Sequence, residues 1–445
     1  MSAEKARKIF DAGCDAVKPH RFMPRFIRRS GNVFWLGQQV YDRGDFGQVY
    51  MLSMGKASVA MALELQALMG DLITAGVVVT KYGHLVPGLQ WPVIEAGHPV
   101  PDANSVQAGE AVKSMLSKVG GKDLLIVLVS GGASSLVADI PPNGNLQVLQ
   151  RLFLELLHSG ASIEEMNTVR KHFSGMKGGQ LARLAFPARI HQFVLSDVPG
   201  DDLSVIASGP FYADSTSFED CRRVLQKYDL EAQLQSPLKR WLEAGLQQMI
   251  PDTPKPGDPV FDNIFHHLVA TNAVAMEAAA LEAAALGYEV KMVGKPLSGE
   301  CRDTAVDLLR EIIKTTHHRP TCYIAGGETT VTIQQGSNGK GGRNQEFVLS
   351  ALQFLLSEEK AGKLAQWPVV LSGGTDGSDG VTDAAGAVFD EAMVGRIKSL
   401  QLDLKRFLDR HDAWHFFDAA GGLIHTGPTQ TNVMDLVVVL VHSSR

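Results

Sequence analysis

A chain of 445 residues, 45% hydrophobic and 20% charged, has the make-up of an ordinary globular protein and is long enough for two cores. Its formal charge of −6, with acidic and basic residues intermixed, supplies no broad positive field and argues against nucleic acid as a partner. Four scattered cysteines without a C-x-x-C pair argue against zinc or a disulfide framework and fit a reducing cytoplasm; the charged N-terminus and the lack of any apolar run of about 18 residues argue against export and a membrane partner.

The first strand-length apolar run, Val49–Ser53, leads through Met54-Gly55-Lys56-Ala57-Ser58 into a helix over Val59–Met69. This sets an ammonium at a helix N-terminus, where a cation is disfavoured by about 0.3 to 1 kcal/mol unless an anion offsets it. Tyr50 and Ala57 exclude the G-x-x-x-x-G-K-[ST] phosphate loop. A second strand is expected over Ala75–Thr80. The loop Ala96-Gly97-His98-Pro99-Val100-Pro101-Asp102 is stiffened by two prolines, which makes His98 a candidate substrate-side residue. Leu124–Val129, the most hydrophobic strand of the first half, runs into Ser130-Gly131-Gly132-Ala133-Ser134-Ser135 and a helix, a turn whose backbone N–H groups could cradle a phosphate. The run His191–Ser196 ends at Asp197.

Continuous apolar runs bounded by Gly and Pro, alternating with helices, predict a doubly wound, Rossmann-like, mostly parallel sheet with its ligands at the strands' carboxyl ends. Pro251–Pro259, the densest breaker cluster, marks the expected boundary between an N-terminal domain over 1–250 and a C-terminal domain over 260–445.

Beyond it the pattern predicts a helix over Ala273–Leu286 and strands near Glu289–Val293, Thr321–Ala325, Thr329–Gln334, Val369–Ser372 and Met434–Val441. Alternation at Val331 and Ile333 predicts antiparallel pairing around Gly326–Gln335, hence an α/β domain with a mixed sheet. Three more glycine-rich loops follow apolar runs: Ala325–Thr330 with Glu328; Gly339–Glu346, where Arg343 enters a helix over Phe347–Leu356 and could grip a phosphate or carboxylate bidentately; and Ser372–Gly377 with Gly373, Gly374, Thr375 and Asp376. Mg²⁺ in phosphoryl transfer takes one or two carboxylates plus phosphate oxygens, which makes Asp376 and Asp197 the candidate metal ligands; Asp376, Asp379 and Asp383 do not match an EF-hand. H-E-x-x-H, G-x-S-x-G and G-x-G-x-x-G are all absent.

Read in order, Met54-Gly55-Lys56-Ala57, the His98 loop, Ser130–Ser134, Leu195-Ser196-Asp197-Val198-Pro199-Gly200-Asp201, Ala207-Ser208-Gly209-Pro210, Gly326–Val331, Gly342–Glu346 and Gly373–Gly377 resemble the class II glycerate kinases, the family with the MOFRL C-terminal domain. Asn167–His172, Lys177-Gly178-Gly179 and Gly427–Asn432 are also family-like. The resemblance implies ATP- and Mg²⁺-dependent phosphorylation of D-glycerate to 2-phosphoglycerate in a cleft between two α/β domains, by a monomer or homodimer. Carried onto this chain, it makes Lys56 and Arg343 the catalytic cations and Asp197 and Asp376 the acidic residues, with Asp197 the favoured base and the metal ligand left open between the two. Ser130, Gly131, Gly132, Ala133, Ser134, Ser135, Glu328, Gly373, Gly374 and Thr375 become the expected nucleotide contacts. The alternative, hydroxypyruvate reductase, needs a nicotinamide site that the sequence does not advertise.

Overall fold

The computed structural model describes residues 2–333 and 337–443. The chain forms two compact units, Phe22–Val269 on the one hand and Met1–Arg21 with Ala270–Arg445 on the other.

The Phe22–Val269 unit opens with a small antiparallel meander of β1 (Ile27–Ser30), β2 (Val33–Leu36) and β3 (Gln39–Asp42). Its main sheet contains β4 (Val49–Met54), β5 (Ala75–Lys81), β6 (Val93–Ala96), β7 (Leu124–Val129), β8 (Arg189–Leu195) and β9 (Ile264–Ala270), in the order β6-β5-β4-β7-β8-β9. The pairs β5–β6, β4–β5, β4–β7 and β7–β8 are parallel. Every residue of β4 and β7 is buried, as strands covered on both faces require, so their unbroken apolar sequences are explained by packing. From β4 the chain steps outward to β5 and β6, then returns to the other side of β4 for β7 and β8. The switch point therefore lies between β4 and β7, where open α/β sheets leave a crevice at the strands' carboxyl ends.

β9 lies beyond the expected boundary at 251–259, and that breaker segment is built into this unit. Thr253 is buried and donates from Oγ1 to Asp214 Oδ2 at 3.0 Å, Asp214 donates its N–H to the Pro254 carbonyl at 3.0 Å, and Arg183 donates to the Asp252 carbonyl at 2.8 Å. The prolines here shape an anchored crossing rather than a free linker.

The other unit is a mixed sheet of β10 (Glu289–Met292), β11 (Thr321–Gly327), β12 (Val369–Gly374), β13 (Gly386–Phe389), β14 (Leu423–Ile424) and β15 (Asp435–Val441), ordered β10-β11-β15-β12-β13-β14. Among the described strand pairs β10–β11 is parallel and the others are antiparallel. The strand expected over Thr329–Gln334 does not form among the described residues, and Gln334 and Gln335 lie outside them. The antiparallel partner of β11 is β15, while Thr330 is drawn to Gly299 and Cys301: its N–H reaches the Gly299 carbonyl at 2.8 Å, and its carbonyl accepts from Cys301 at 2.9 Å. The helix Ala3–Ala16 belongs here too, burying Ile9, Phe10 and Cys14 in a core with Ala279, Leu371 and Leu436. Among the described residues no helix is long and apolar enough to cross a membrane.

Candidate active site

In the Phe22–Val269 unit the loops after β4 and β7 are locked together at the switch point. Lys56 donates its backbone N–H to the Gly131 carbonyl at 2.9 Å, and Ala57 donates to Ser130 Oγ at 3.0 Å. Gly55 sits at φ +126°, and a side chain there would collide with Ser130, so this glycine is required by both conformation and space. Gly132, at φ +85°, faces the His98 loop: a Cβ on it would lie 2.8 Å from His98 Cδ2 and 3.4 Å from Lys56 Cγ. Lys56, His98 and the Ser130–Ser135 loop thus meet at one place, and Asp197 is half-buried in the loop that follows the next strand, β8.

The helix after the Gly131-Gly132 turn is a single turn, Ala133–Leu136. Its dipole adds little, so any phosphate-binding strength here comes from backbone N–H groups and nearby cations.

Side chains the sequence-based site did not include brace this loop. Lys177 is buried and donates to the Ser134 and Val137 carbonyls at 2.7 and 3.2 Å. Burial pushes its pKa down to about 8, against the pull of Asp139. Ser208 meets Ser134, hydroxyl to hydroxyl, at 2.9 Å.

The three other glycine loops converge in the second unit around Arg343. Its helix begins at Arg343 itself, earlier than its apolar pattern suggests, and runs to Lys360. Asn344 and Gln345 donate their backbone N–H groups to the buried Asp379 at 3.0 and 2.8 Å, so Asp379 closes the helix N-terminus. Burial pushes the Asp379 carboxyl up to about 7, opposed by those two donors. Gly342 is small because Asp379 occupies the space a side chain would need.

Arg343 does not stand as a bare cation. Its Nε and Nη2 donate to Asp435 Oδ2 and Oδ1 at 2.5 and 2.9 Å, and Nη1 lies 2.9 Å from Glu328 Oε1. Burial alone would lower its pKa, but the Asp435 carboxylate outweighs burial and raises it. Asp435 faces Gly327 of β11 on one side and Gly374 of β12 on the other, which brings the loops of Glu328 and Asp376 to the same sheet end. A Cβ on Gly374 would lie 3.3 Å from Asp376 Oδ1 and 3.5 Å from Asp435 Oδ1. Thr375 is buried and works structurally, accepting from Val433 N–H at 2.8 Å and donating to the Met434 carbonyl at 2.6 Å. Asp376 Oδ1 accepts from Ser378 N–H and Oγ at 3.0 and 3.1 Å, a local turn that orients the carboxylate.

Asp435 was absent from the sequence-based set, although a lone carboxylate opening an otherwise apolar strand was its signal. A cavity of about 480 Å³ adjoins these groups, its lining combining Glu328, Arg343, Glu346 and His411 with apolar Val331 and Val381.

Among the described residues the tight group of potential metal ligands is Glu300, Cys301 and Glu346. It fits a metal poorly: burial pushes the Cys301 thiol up and keeps it protonated, and Arg302 Nε already donates to Glu346 at 2.6 Å.

The domain of unknown function DUF4147 matches residues 5–243, and the MOFRL family matches residues 321–435. Glycerate 2-kinase of Pyrococcus horikoshii is 37% identical over 405 residues, covering 90% of this chain and 88% of its own. The chain belongs to the glycerate kinase family that carries the MOFRL domain. The crystal structure of a glycerate kinase from Thermotoga maritima matches with a TM-score of 0.82 at 35% identity, over 98% of this chain and 99% of that one. A relative from Agrobacterium vitis, provisionally named hydroxypyruvate reductase, is 39% identical over 403 residues, 89% of this chain and 87% of its own.

Proposed function

We propose that the chain is a glycerate 2-kinase, transferring the γ-phosphoryl group of ATP to the C2 hydroxyl of D-glycerate to give 2-phospho-D-glycerate and ADP. The observation that carries this reading is the switch point, where Lys56 and the Ser130–Ser135 loop leave adjacent parallel strands and are hydrogen-bonded to one another, in a chain whose relatives bear the name of this reaction. Backbone N–H groups of Gly131–Ser134 receive the triphosphate, since the Ser130 and Ser135 N–H groups are bonded to the Met54 and Gly132 carbonyls. Lys56 neutralises charge that builds on the transferring phosphoryl group, and Arg343, held by Asp435 and Glu328, is the catalytic cation offered by its own unit. Asp197 accepts the C2 hydroxyl proton. Asp376, or Asp197, would hold Mg²⁺, which when bound neutralises phosphate oxygens. Catalysis on this reading is positioning and electrostatics. The four buried free cysteines fit the cytoplasm as its location.

A coupled ADP-release assay with D-glycerate, L-glycerate and hydroxypyruvate tests the reading. ADP release with D-glycerate, and 2-phosphoglycerate identified by ³¹P NMR, is the expected result. Oxidation of NADH or NADPH by hydroxypyruvate without ADP release overturns it in favour of a reductase.

A further inference from the structure

The motif Ala207-Ser208-Gly209-Pro210 has no part in the chemistry above, yet its backbone is unusual. Ala207, Ser208 and Gly209 stand consecutively at φ +54°, +60° and +59°, a left-handed run in which two residues carry side chains. Such a conformation persists only where its surroundings impose it. Here the Ser208 and Gly209 carbonyls accept from the N–H groups of Gly178 and Gly179 at 2.9 and 2.7 Å, and those glycines are themselves left-handed, at φ +55° and +81°.

The result is to aim one hydroxyl. Ser208 is 2% exposed; it donates to Asn167 Oδ1 at 3.0 Å and lies 2.9 Å from Ser134 Oγ in the switch-point loop. A hydroxyl has one proton, and that of Ser208 goes to Asn167, so Ser208 accepts the proton of Ser134. The Ser134 hydroxyl therefore has no proton left to give an anion. It cannot serve as a donor to phosphate and acts instead as a strut, tying the loop to the strained corner.

We infer that Ser208 is a positioning residue for the nucleotide: acting through the Ser134 hydroxyl, it fixes the Ser130–Ser135 loop in the geometry that receives the triphosphate. This rests on the reading of that loop as the phosphate site. Lys177 supports the same loop independently, from its carbonyl side.

The test compares Ser208→Ala, Ser208→Gly, Ser134→Ala and the double Ser134→Ala/Ser208→Ala variant. Glycine adopts the left-handed conformation freely, so Ser208→Gly removes the hydroxyl without adding backbone strain. Each single variant is expected to raise KM for ATP by about three- to tenfold, the scale of one hydrogen bond, with kcat and KM for D-glycerate within about twofold of wild type. The double variant is expected to match the singles, because both remove the same strut.

Three results overturn the inference: wild-type KM for ATP in both Ser208 variants, multiplying effects in the double variant, or a Ser134→Ala loss more than about tenfold beyond that of Ser208→Ala, which would make Ser134 a direct ligand. Calorimetric titration with ADP separates this from the kinase reading. Should the wild type bind ADP but release none from ATP and D-glycerate, the kinase reading fails while the same pattern in ADP affinity upholds the Ser208 role; a wild type that does not bind ADP overturns that role.

Discussion

Lys56 and Arg343 were both legible as cations in glycine-rich settings, but the structure gives them different surroundings. Lys56 is fixed through its backbone, its N–H bonded to Gly131, so its side chain starts from a defined point beside Gly132. Replacing it with alanine is expected to lower kcat by about 10² to 10³ in the ADP-release assay, the scale of losing one preorganised charge; wild-type turnover would remove it from the mechanism. Arg343 is fixed through its side chain by Asp435, 92 residues away in sequence, and no local pattern reveals a partner at that range. Asparagine at 435 keeps one acceptor and loses the charge and the second bond. Asp435→Asn is expected to lower stability by about 1.5 to 3 kcal/mol in urea denaturation, the range for hydrogen bonds to charged groups, and to lower kcat about tenfold by letting the guanidinium drift. A variant that loses stability but keeps kcat would show that Arg343 needs no fixed orientation for turnover.

At the level of strands and loops, what could be read was what packing forces into composition. β4, β7, β12 and β15 are buried at every position, and their apolar runs announced them to within a residue or two. Two of the strands that escaped share their burial with polar groups, while the apolar β2 and β13, at four residues each, are too short to stand out as runs. β9 carries His266 and His267 mid-strand, and β1 carries Arg28 and Arg29, so neither shows an apolar run. In the fold, His267 Nε2 lies 2.9 Å from His191 Nδ1, and His191 Nε2 lies 2.9 Å from Tyr41 Oη, a chain that stitches the meander to β8 and β9. Burial pushes His191 down to about 3, helped by His267 and Arg189. The sign follows from proton uptake: below an unfolded value of 6.5 the unfolded chain takes a proton that the folded one refuses until about pH 3, so stability falls as pH drops through that window. At pH 5 this group alone removes about 2 kcal/mol. Glutamine at 191 can bond both neighbours without titrating, so His191→Gln is expected to lose about that much less stability than wild type between pH 7 and pH 5, measured by urea midpoints. Equal losses would show that the buried imidazole is not a site of acid sensitivity.

Across the whole molecule, the feature least visible in sequence is which residues belong to which unit. Breaker composition pointed to 251–259, whereas the division falls after Arg21 and after Val269, inside the helix Pro19–Phe26 and the strand β9. Joints that run through regular elements have no linker composition, so only long-range packing shows them. The Ala-rich helix Asn272–Ala285 was predicted, but its small residues gain their meaning from the helix Ala3–Ala16 laid against them: Gly13 has no side chain because Leu436 and the Ala275 carbonyl would lie within 2.9 Å of it. Ile9 and Phe10 are fully buried in the core of the C-terminal unit, and each contributes about 1.5 to 3 kcal/mol. Against a typical domain stability of about 5 to 15 kcal/mol, removing this helix takes away a large fraction of the total. A fragment of residues 270–445 is therefore expected to bind a hydrophobic dye and to unfold without a cooperative transition. The same fragment with residues 1–21 joined to its C-terminus by a Gly/Ser linker is expected to unfold cooperatively in urea, and changing Phe10 to alanine in that fusion to cost about 3 to 5 kcal/mol, the range for emptying a buried aromatic site. Equal urea midpoints for the fragment with and without residues 1–21 would show that the N-terminal helix only decorates a core that is complete without it.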